Sequence, residues 1–397
     1  MMYRSFLLAV ICVRLGLESS VAQTWNQTTA LTSQWSAIAS SADGAKLVAV
    51  VGGTSAGGIF TSFNSGLTWS PTTAPATNWS AVASSADGVK LVASAGYSYS
   101  PFIKGLIYSS SNSGQTWNPT TAPADYYYTL ACSADGTKIV AGGARNKATP
   151  LYSSVDFGVT WKSNNLAPMY WRSVIVSADG SKIVALAGGA SGGVFSSSDF
   201  GESWVSNGAP STLVSSIAGS ADLTKLAAVT LGPSLGPIFT SDDFGTSWTR
   251  TPASNGYWQS VTVSGDGNRI AAVGNFGGIY SSEDFGVTWT SNSAPVTAWN
   301  SVASSSDGGK LAAVVNGGGI YTVQVNPHIP LKLKSVAGNL VLSWPIPSTN
   351  FIVKQTTALN SNWTDLLLVP SINLSNLTKE VTIPNSPGGG YFRLSTP

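Results

Sequence analysis

Residues 79–91, W-S-A-V-A-S-S-A-D-G-V-K-L, and residues 110–117, S-S-N-S-G-Q-T-W, decide the fold, because both stretches recur in step along the chain. The first recurs from Trp35, Trp79, Tyr127, Trp171, Val214, Trp258 and Trp299, at intervals of 44, 48, 44, 43, 44 and 41 residues. The second, S-x-D-x-G-x-T-W with Asn64 and Asn112 in place of the first two aspartates, ends at Trp69, Trp117, Trp161, Trp204, Trp248 and Trp289. A fixed period of this length marks a chain of stacked supersecondary units.

Within one unit, residues 79–84 alternate as a strand, Ala86-Asp87-Gly88 is a hairpin turn, and 90–95 form a second strand of small and β-branched residues. A third strand over 105–110, a turn at Asn112-Ser113-Gly114 and a fourth strand from Thr116 complete it before Pro119 and Pro123. Four antiparallel strands in about 44 residues make a propeller blade. The ends complement each other. Thr24-Trp25-Asn26-Gln27-Thr28 matches Thr116-Trp117-Asn118-Pro119-Thr120, a fourth strand without its first three, while the seventh repeat has three strands and no fourth. Pairing them predicts a seven-bladed β-propeller over 23–326, closed by its own terminal strands so that no sheet edge stays open. After Asn326-Pro327 the repeat stops, and alternating strands between Pro, Asn and Gly turns predict a small β-sandwich over 327–397.

Composition agrees with an all-β chain. Only 10% of residues are charged, against a usual quarter, and 42 are glycine, which leaves little for amphipathic helices. A net charge of +2 with no basic stripe argues against nucleic acid as a partner. Arg4, the apolar run from Phe6 to Val13 and the small residues Ser20-Val21-Ala22 predict a signal peptide over 1–22, and so a secreted or cell-surface protein. The apolar run is far shorter than the ~20 residues of a membrane span, so no membrane insertion is expected after signal removal. Cys12 leaves with the signal, making Cys132 the mature chain's one thiol and ruling out an intrachain disulfide.

The recurring S-x-D-x-G-x-T-W resembles the Asp-box of the sialidase-like, bacterial-neuraminidase-repeat propellers, a family that also includes xyloglucanase-type hydrolases, sortilin-like receptors, assembly factors and lectins. The resemblance covers about residues 23 to 326. It implies a propeller whose boxes are structural hairpins on the face away from the ligand, and it leaves function open. The C-terminal segment is similar to the β-sandwich tails of secreted bacterial multidomain proteins.

This geometry sorts the charges. The turn aspartates Asp43, Asp87, Asp135, Asp179, Asp222, Asp266 and Asp307 and the box aspartates Asp156, Asp199, Asp243 and Asp284 fall on the box face, where such residues accept backbone amides. Glu202, Asp242 and Glu283 flank the boxes, Glu18 lies in the signal and Asp365 and Glu380 in the tail, so only Asp125 remains for the ligand face. A glycosidase needs two carboxylates about 5 to 10 Å apart. The three arginines, tyrosine nucleophile and partner glutamate of a sialidase are not visible either, so no catalytic residues are expected. The one histidine, His328, has no cluster around it, and neither a metal site nor a cofactor is expected. Cys132 reads as a buried, inert thiol.

The loops that break the repeat are aromatic and polar: Tyr97, Tyr99 and Phe102, then Asp125 and Tyr126, then Arg145, and Tyr170 and Arg172. Rings flanked by guanidinium and amide donors suit a sugar, and these eight residues are the expected ligand contacts. The ring of aromatics that opens each first strand, Trp35 to Trp299, reads as packing, with a ligand platform as its alternative. The expected function is non-enzymatic recognition or scaffolding of a glycan or an extracellular protein. The alternative is a sialidase-like or xyloglucanase-like glycoside hydrolase.

Overall fold

The computed structural model describes residues 25–53, 56–96, 104–143, 148–188, 192–208, 214–230 and 235–324, together with the strands of the C-terminal region between 332 and 395. No helix occurs among the described residues. The chain divides into two compact units, with the described residues 25–324 in one and the strands from 332 onward in the other.

In the larger unit each repeat folds into antiparallel strands that follow one another in space as in sequence. Repeat 2 shows the pattern: Trp79–Ser84 pairs with Leu91–Ala95, which pairs with Ile107–Ser110, which pairs with Asn118–Pro119. In repeats 1 to 5 the second strands are buried along their whole length. Both of their faces are covered, which is why they read as runs of Val, Ile, Leu and Ala and lack a polar alternation. The packing crosses from one repeat to the next. Val48, Val50 and Ile59 of repeat 1 bury Trp79, Val82 and Leu91 of repeat 2, and Ala312, Val314 and Ile320 of repeat 7 bury Trp35, Ile38 and Leu47 of repeat 1.

The aromatic that opens each first strand is the centre of this packing. Trp35, Trp79, Tyr127, Trp171, Trp258 and Trp299 are at most 2% exposed. Each meets a third-strand ring close to edge-on, as Trp79 meets Tyr108 at 5.3 Å and 75° and Trp258 meets Tyr280 at 5.3 Å and 90°. That geometry suits the ring quadrupoles, and burial leaves no ring face for a ligand. The alternative reading of these rings as a platform is therefore set aside.

The chain termini of the repeat region meet. Asn26 and Gln27 pair with Thr322 and Tyr321, Thr28 N–H donates to the Ile320 carbonyl at 2.8 Å, and Trp25 is buried against Trp299. At the turn after each first strand, Ala42, Ala86, Ala134, Ala178, Ala221 and Gly265 each donate a backbone N–H to the same position in the next repeat. Ser306 donates to Ala42 at 2.8 Å. Where the ring has Gly265, a Cβ would come within 2.5 Å of the Ser306 hydroxyl, so the missing methyl of one residue makes room for the extra oxygen of the other.

A cation staples each repeat to the next. Lys138 Nζ donates to the Gly180 carbonyl at 2.8 Å while lying 5.1 Å above the Phe200 ring, and Lys182 does the same with Asp222 and Phe244. Those phenylalanines follow the box aspartates in left-handed backbone, φ 55° and 61°. The cation–π contact offsets part of the strain that such a φ imposes on a side chain.

The smaller unit holds two antiparallel sheets, Lys332–Val336, Asn339–Pro345, Thr378–Ile383 and Ser371–Asn373 in one, and Thr364–Leu366, Ile352–Thr356 and Tyr391–Ser395 in the other. Val341, Leu342, Val381 and Ile383 are buried.

Candidate functional site

The aspartates of the turns are occupied by the turns. In the box at 154–161, Ser154 Oγ donates to Asp156 Oδ1 at 2.8 Å, Gly158 N–H donates to Ser154 Oγ at 2.9 Å, and the Thr160 N–H and hydroxyl donate to the two carboxylate oxygens at 2.8 and 2.6 Å. In the first turn of repeat 4, Asp179 takes the Ser177 hydroxyl at 2.6 Å and the Ser181 N–H at 2.9 Å. These donors favour the anion. The Ser203 and Ser247 hydroxyls and amides hold Asp199 and Asp243 at about 2. At Asp87, Asp135, Asp179 and Asp222 partial burial pushes upward, and the serine hydroxyls and backbone amides outweigh it, so these too lie below the usual carboxylate range. Groups held ionised in this way are structural acceptors and have no proton to give near neutral pH.

At the other end of the first strands the register slips by one residue immediately after the opening position, between Trp35 and Ala37, Trp79 and Ala81, Tyr127 and Thr129, and so on through Trp299 and Ser301. Each slip is a β-bulge that re-aims one side chain. The bulged residues are Ser36, Ser80, Tyr128, Arg172, Ser215, Gln259 and Asn300. Five of them line a cavity of about 310 Å³ together with Gln34, Asn78 and Asn316. No residue of this lining is charged. Some of its polar groups also hold the strands together: Asn300 Nδ2 donates to the Trp35 and Ser36 carbonyls at 3.0 and 2.9 Å, and Ser36 Oγ donates to the Trp79 carbonyl at 2.8 Å. Gln259, half-buried, makes no side-chain hydrogen bond among the described residues. The cavity can therefore offer neutral donors and acceptors, and its lining holds hydroxyls and amides with no carboxylate, imidazole, amine or thiol.

Of the residues expected from sequence to contact a ligand, Tyr97, Tyr99, Phe102 and Arg145 lie outside the described residues. Tyr170 and Arg172 come together in repeat 4. Tyr170 is 40% exposed and pairs with Gly188, and Arg172 lies against the same glycine, where a Cβ would come within 2.2 Å of its Nε. Tyr126 is half-buried beside them in sequence order, in repeat 3. The expectation for Asp125 is revised. Its side chain is buried, Oδ1 accepts the Tyr126 N–H at 2.9 Å, and Oδ2 accepts the Tyr152 hydroxyl at 3.1 Å, so the carboxylate positions protein groups and does not face a ligand. Burial, with the Asp125 charge added, pushes the Tyr152 phenol up to about 12.

Cys132 lines a second cavity of about 220 Å³ at the turn end of the first strands, among Ser and Ala residues. Burial, reinforced by Asp135, pushes its thiol up to about 12, so it is not a nucleophile at neutral pH. Sequence reasoning missed Gln259 and Asn300, because a bulge is invisible in a pattern that otherwise alternates. The signal was the polar residue placed directly after each opening aromatic.

No family model matches the chain, and no curated protein matches it. Solved structures do. A GH74 xyloglucanase from Xanthomonas campestris superposes with a TM-score of 0.59 at 17% identity over 81% of this chain, which spans 59% of that one. YCF48 from Cyanidioschyzon merolae superposes with a TM-score of 0.56 at 15% identity, over 77% of this chain and 99% of that one. A structure of YCF48 bound to D1 peptide superposes with a TM-score of 0.57 at 15% identity, over 77% and 97%. The chain has a β-propeller fold. At these identities the likeness concerns the fold alone.

Proposed function

We propose that the protein is a secreted, non-enzymatic recognition propeller of the Asp-box type, with seven blades closed by the N-terminal strand and with a glycan or a protein as its ligand. One observation carries the functional reading. The cavity at the bulged ends of the first strands is lined by hydrogen-bonding side chains that are all neutral, while the hydroxyls and amides of the box turns hold Asp199 and Asp243 as anions at the opposite end. The blade count and closure are supported by the backbone bonds that run from Ala42 to Ser306 and back to Ala42, and by the pairing of Asn26 with Thr322. The similar propellers include one named as a xyloglucanase and one bound to a peptide, so both ligand classes are within reach of the fold.

In this reading Tyr126, Tyr170 and Arg172 contribute to the recognition face with Gln259 and Asn316, and Tyr97, Tyr99, Phe102 and Arg145 extend it. Residues 1–22 direct export, and the unit at 327–397 serves as a spacer or surface-attachment module. A glycan array and a peptide array, both probed with the full-length mature protein, test the proposal. Binding in either that weakens about tenfold in Arg172→Ala or Gln259→Ala supports it. Release of new reducing ends from a polysaccharide would replace it with a hydrolase, and N-terminal sequencing of exported protein that begins before residue 20 would remove the signal-peptide reading.

A further inference from the structure

The end of the second strand and the turn after it have the same length in repeats 6 and 7: Gly274-Asn275-Phe276-Gly277-Gly278 against Val315-Asn316-Gly317-Gly318-Gly319. Phe276 and Gly317 hold the same left-handed position, φ 57° and 75°. Glycine adopts it freely, and a side chain is strained there. The other left-handed phenylalanines, Phe157, Phe200, Phe244 and Phe285, sit under the stapling lysines. Phe276 has no such cover among the described residues and is 76% exposed. Repeat 7 has glycine at this point, and repeat 6 instead holds a large ring out to solvent. Strain and apolar exposure kept together at one residue indicate a contact made with something else.

The surroundings say what kind of contact. Asn275 and Gly277 pair with Ala298 and Thr297, and the Asn275 N–H donates to the Tyr257 carbonyl at 2.8 Å, so Phe276 stands between the backbones that carry Val296 and Tyr257. Val296 is itself 76% exposed. In the same repeat, Asn275 Oδ1 and Trp258 Nε1 are both buried with no hydrogen-bond partner among the described residues, an acceptor and a donor open to a water or a ligand. Gln259 follows Trp258 directly, at the mouth.

The geometry points to an extended, uncharged polypeptide segment as the ligand of this mouth, with an apolar side chain seated on Phe276 and Val296 and backbone amides paired with the side-chain amides of Gln259 and Asn316. This rests on the recognition reading above. A peptide backbone presents donors and acceptors in alternation, and a side-chain amide matches both at once. A charged segment would leave its charge unpaired on entering a neutral cavity, which costs affinity.

A phage-displayed library of random dodecapeptides panned on the full protein tests this. Selected sequences are expected to be uncharged and to share an apolar residue, and their synthetic peptides are expected to bind Phe276→Gly about tenfold more weakly than wild type. That variant suits the backbone, so its melting temperature should equal or exceed the wild-type value and loss of fold cannot explain the loss of binding. Selected peptides that bind Phe276→Gly as well as wild type, or that carry net charge, overturn the inference. A glycan array that responds where the peptide library does not also overturns it, yet leaves the recognition reading standing. Failure of both probes overturns the two together.

Discussion

Trp25 packs on Trp299 with ring centroids 6.1 Å apart and planes at 53°, and Trp117 packs on Trp79 in the same way, at 6.4 Å and 46°. In both pairs the outer indole is buried with its Nε1 unpartnered, whereas Trp69, Trp161, Trp204, Trp248 and Trp289 each donate to the box glycine carbonyl at 3.1 Å. The residue that begins the described chain thus does in repeat 7 what a fourth-strand tryptophan does in repeat 2. Replacing either large ring by alanine removes comparable buried area. Trp25→Ala and Trp117→Ala are each expected to cost about 3–5 kcal/mol in denaturant unfolding. A Trp25→Ala protein as stable as wild type would show that the N-terminal strand closes nothing.

The hydrogen-bonded aspartates set the acid limit of the fold. Asp199 and Asp243 are held at about 2 by the Ser203 and Ser247 donors, below the usual carboxylate value. Their contribution is complete above the unfolded carboxylate value of about 4 and is lost as pH falls through about 2. Stability should therefore be flat from pH 7 to 5 and fall between pH 4 and 2. Asn64 already replaces Asp in repeat 1, accepting the Thr68 N–H at 2.9 Å and donating to the Thr68 hydroxyl at 2.8 Å. The double variant Asp199→Asn, Asp243→Asn should melt below the wild-type temperature at pH 7, because the anions' contribution is missing, and should lose less between pH 4 and 2 than the wild type does.

Cys132 should resist alkylation. A thiol at about 12 is almost wholly protonated at pH 8, so iodoacetamide should modify the native protein orders of magnitude more slowly than the protein in denaturant. Equal rates in the two states would mean that the thiol is neither buried nor raised.

Asp125 serves Tyr152 and the Tyr126 amide. Asp125→Ala leaves both donors without their acceptor and is expected to cost about 1–3 kcal/mol of stability. Removing the charge should also bring the Tyr152 phenol down from about 12 toward the ordinary tyrosine value, without reaching it, because burial is the larger cause. Ultraviolet titration of tyrosinate absorbance would read this directly.

The sequence by itself determined the repeat, its four strands and the destination of the turn aspartates, because each of these depends on neighbours within about 45 residues and is written once per repeat. The fragment from Trp25 to Thr28 was also legible, since its match to Trp117–Thr120 named the strand it would complete. Only the tertiary structure decided what lines the cavity at the bulged ends of the first strands. A one-residue bulge after each opening aromatic moves Gln259 and Asn300 into the mouth, the Tyr152 hydroxyl takes Asp125 out of it, and a left-handed φ separates Phe276 from the glycine that the same loop has at 317. Register, dihedral sign and the partner of a buried carboxylate arise from strands meeting across the sheet, and a pattern read along one strand does not contain them.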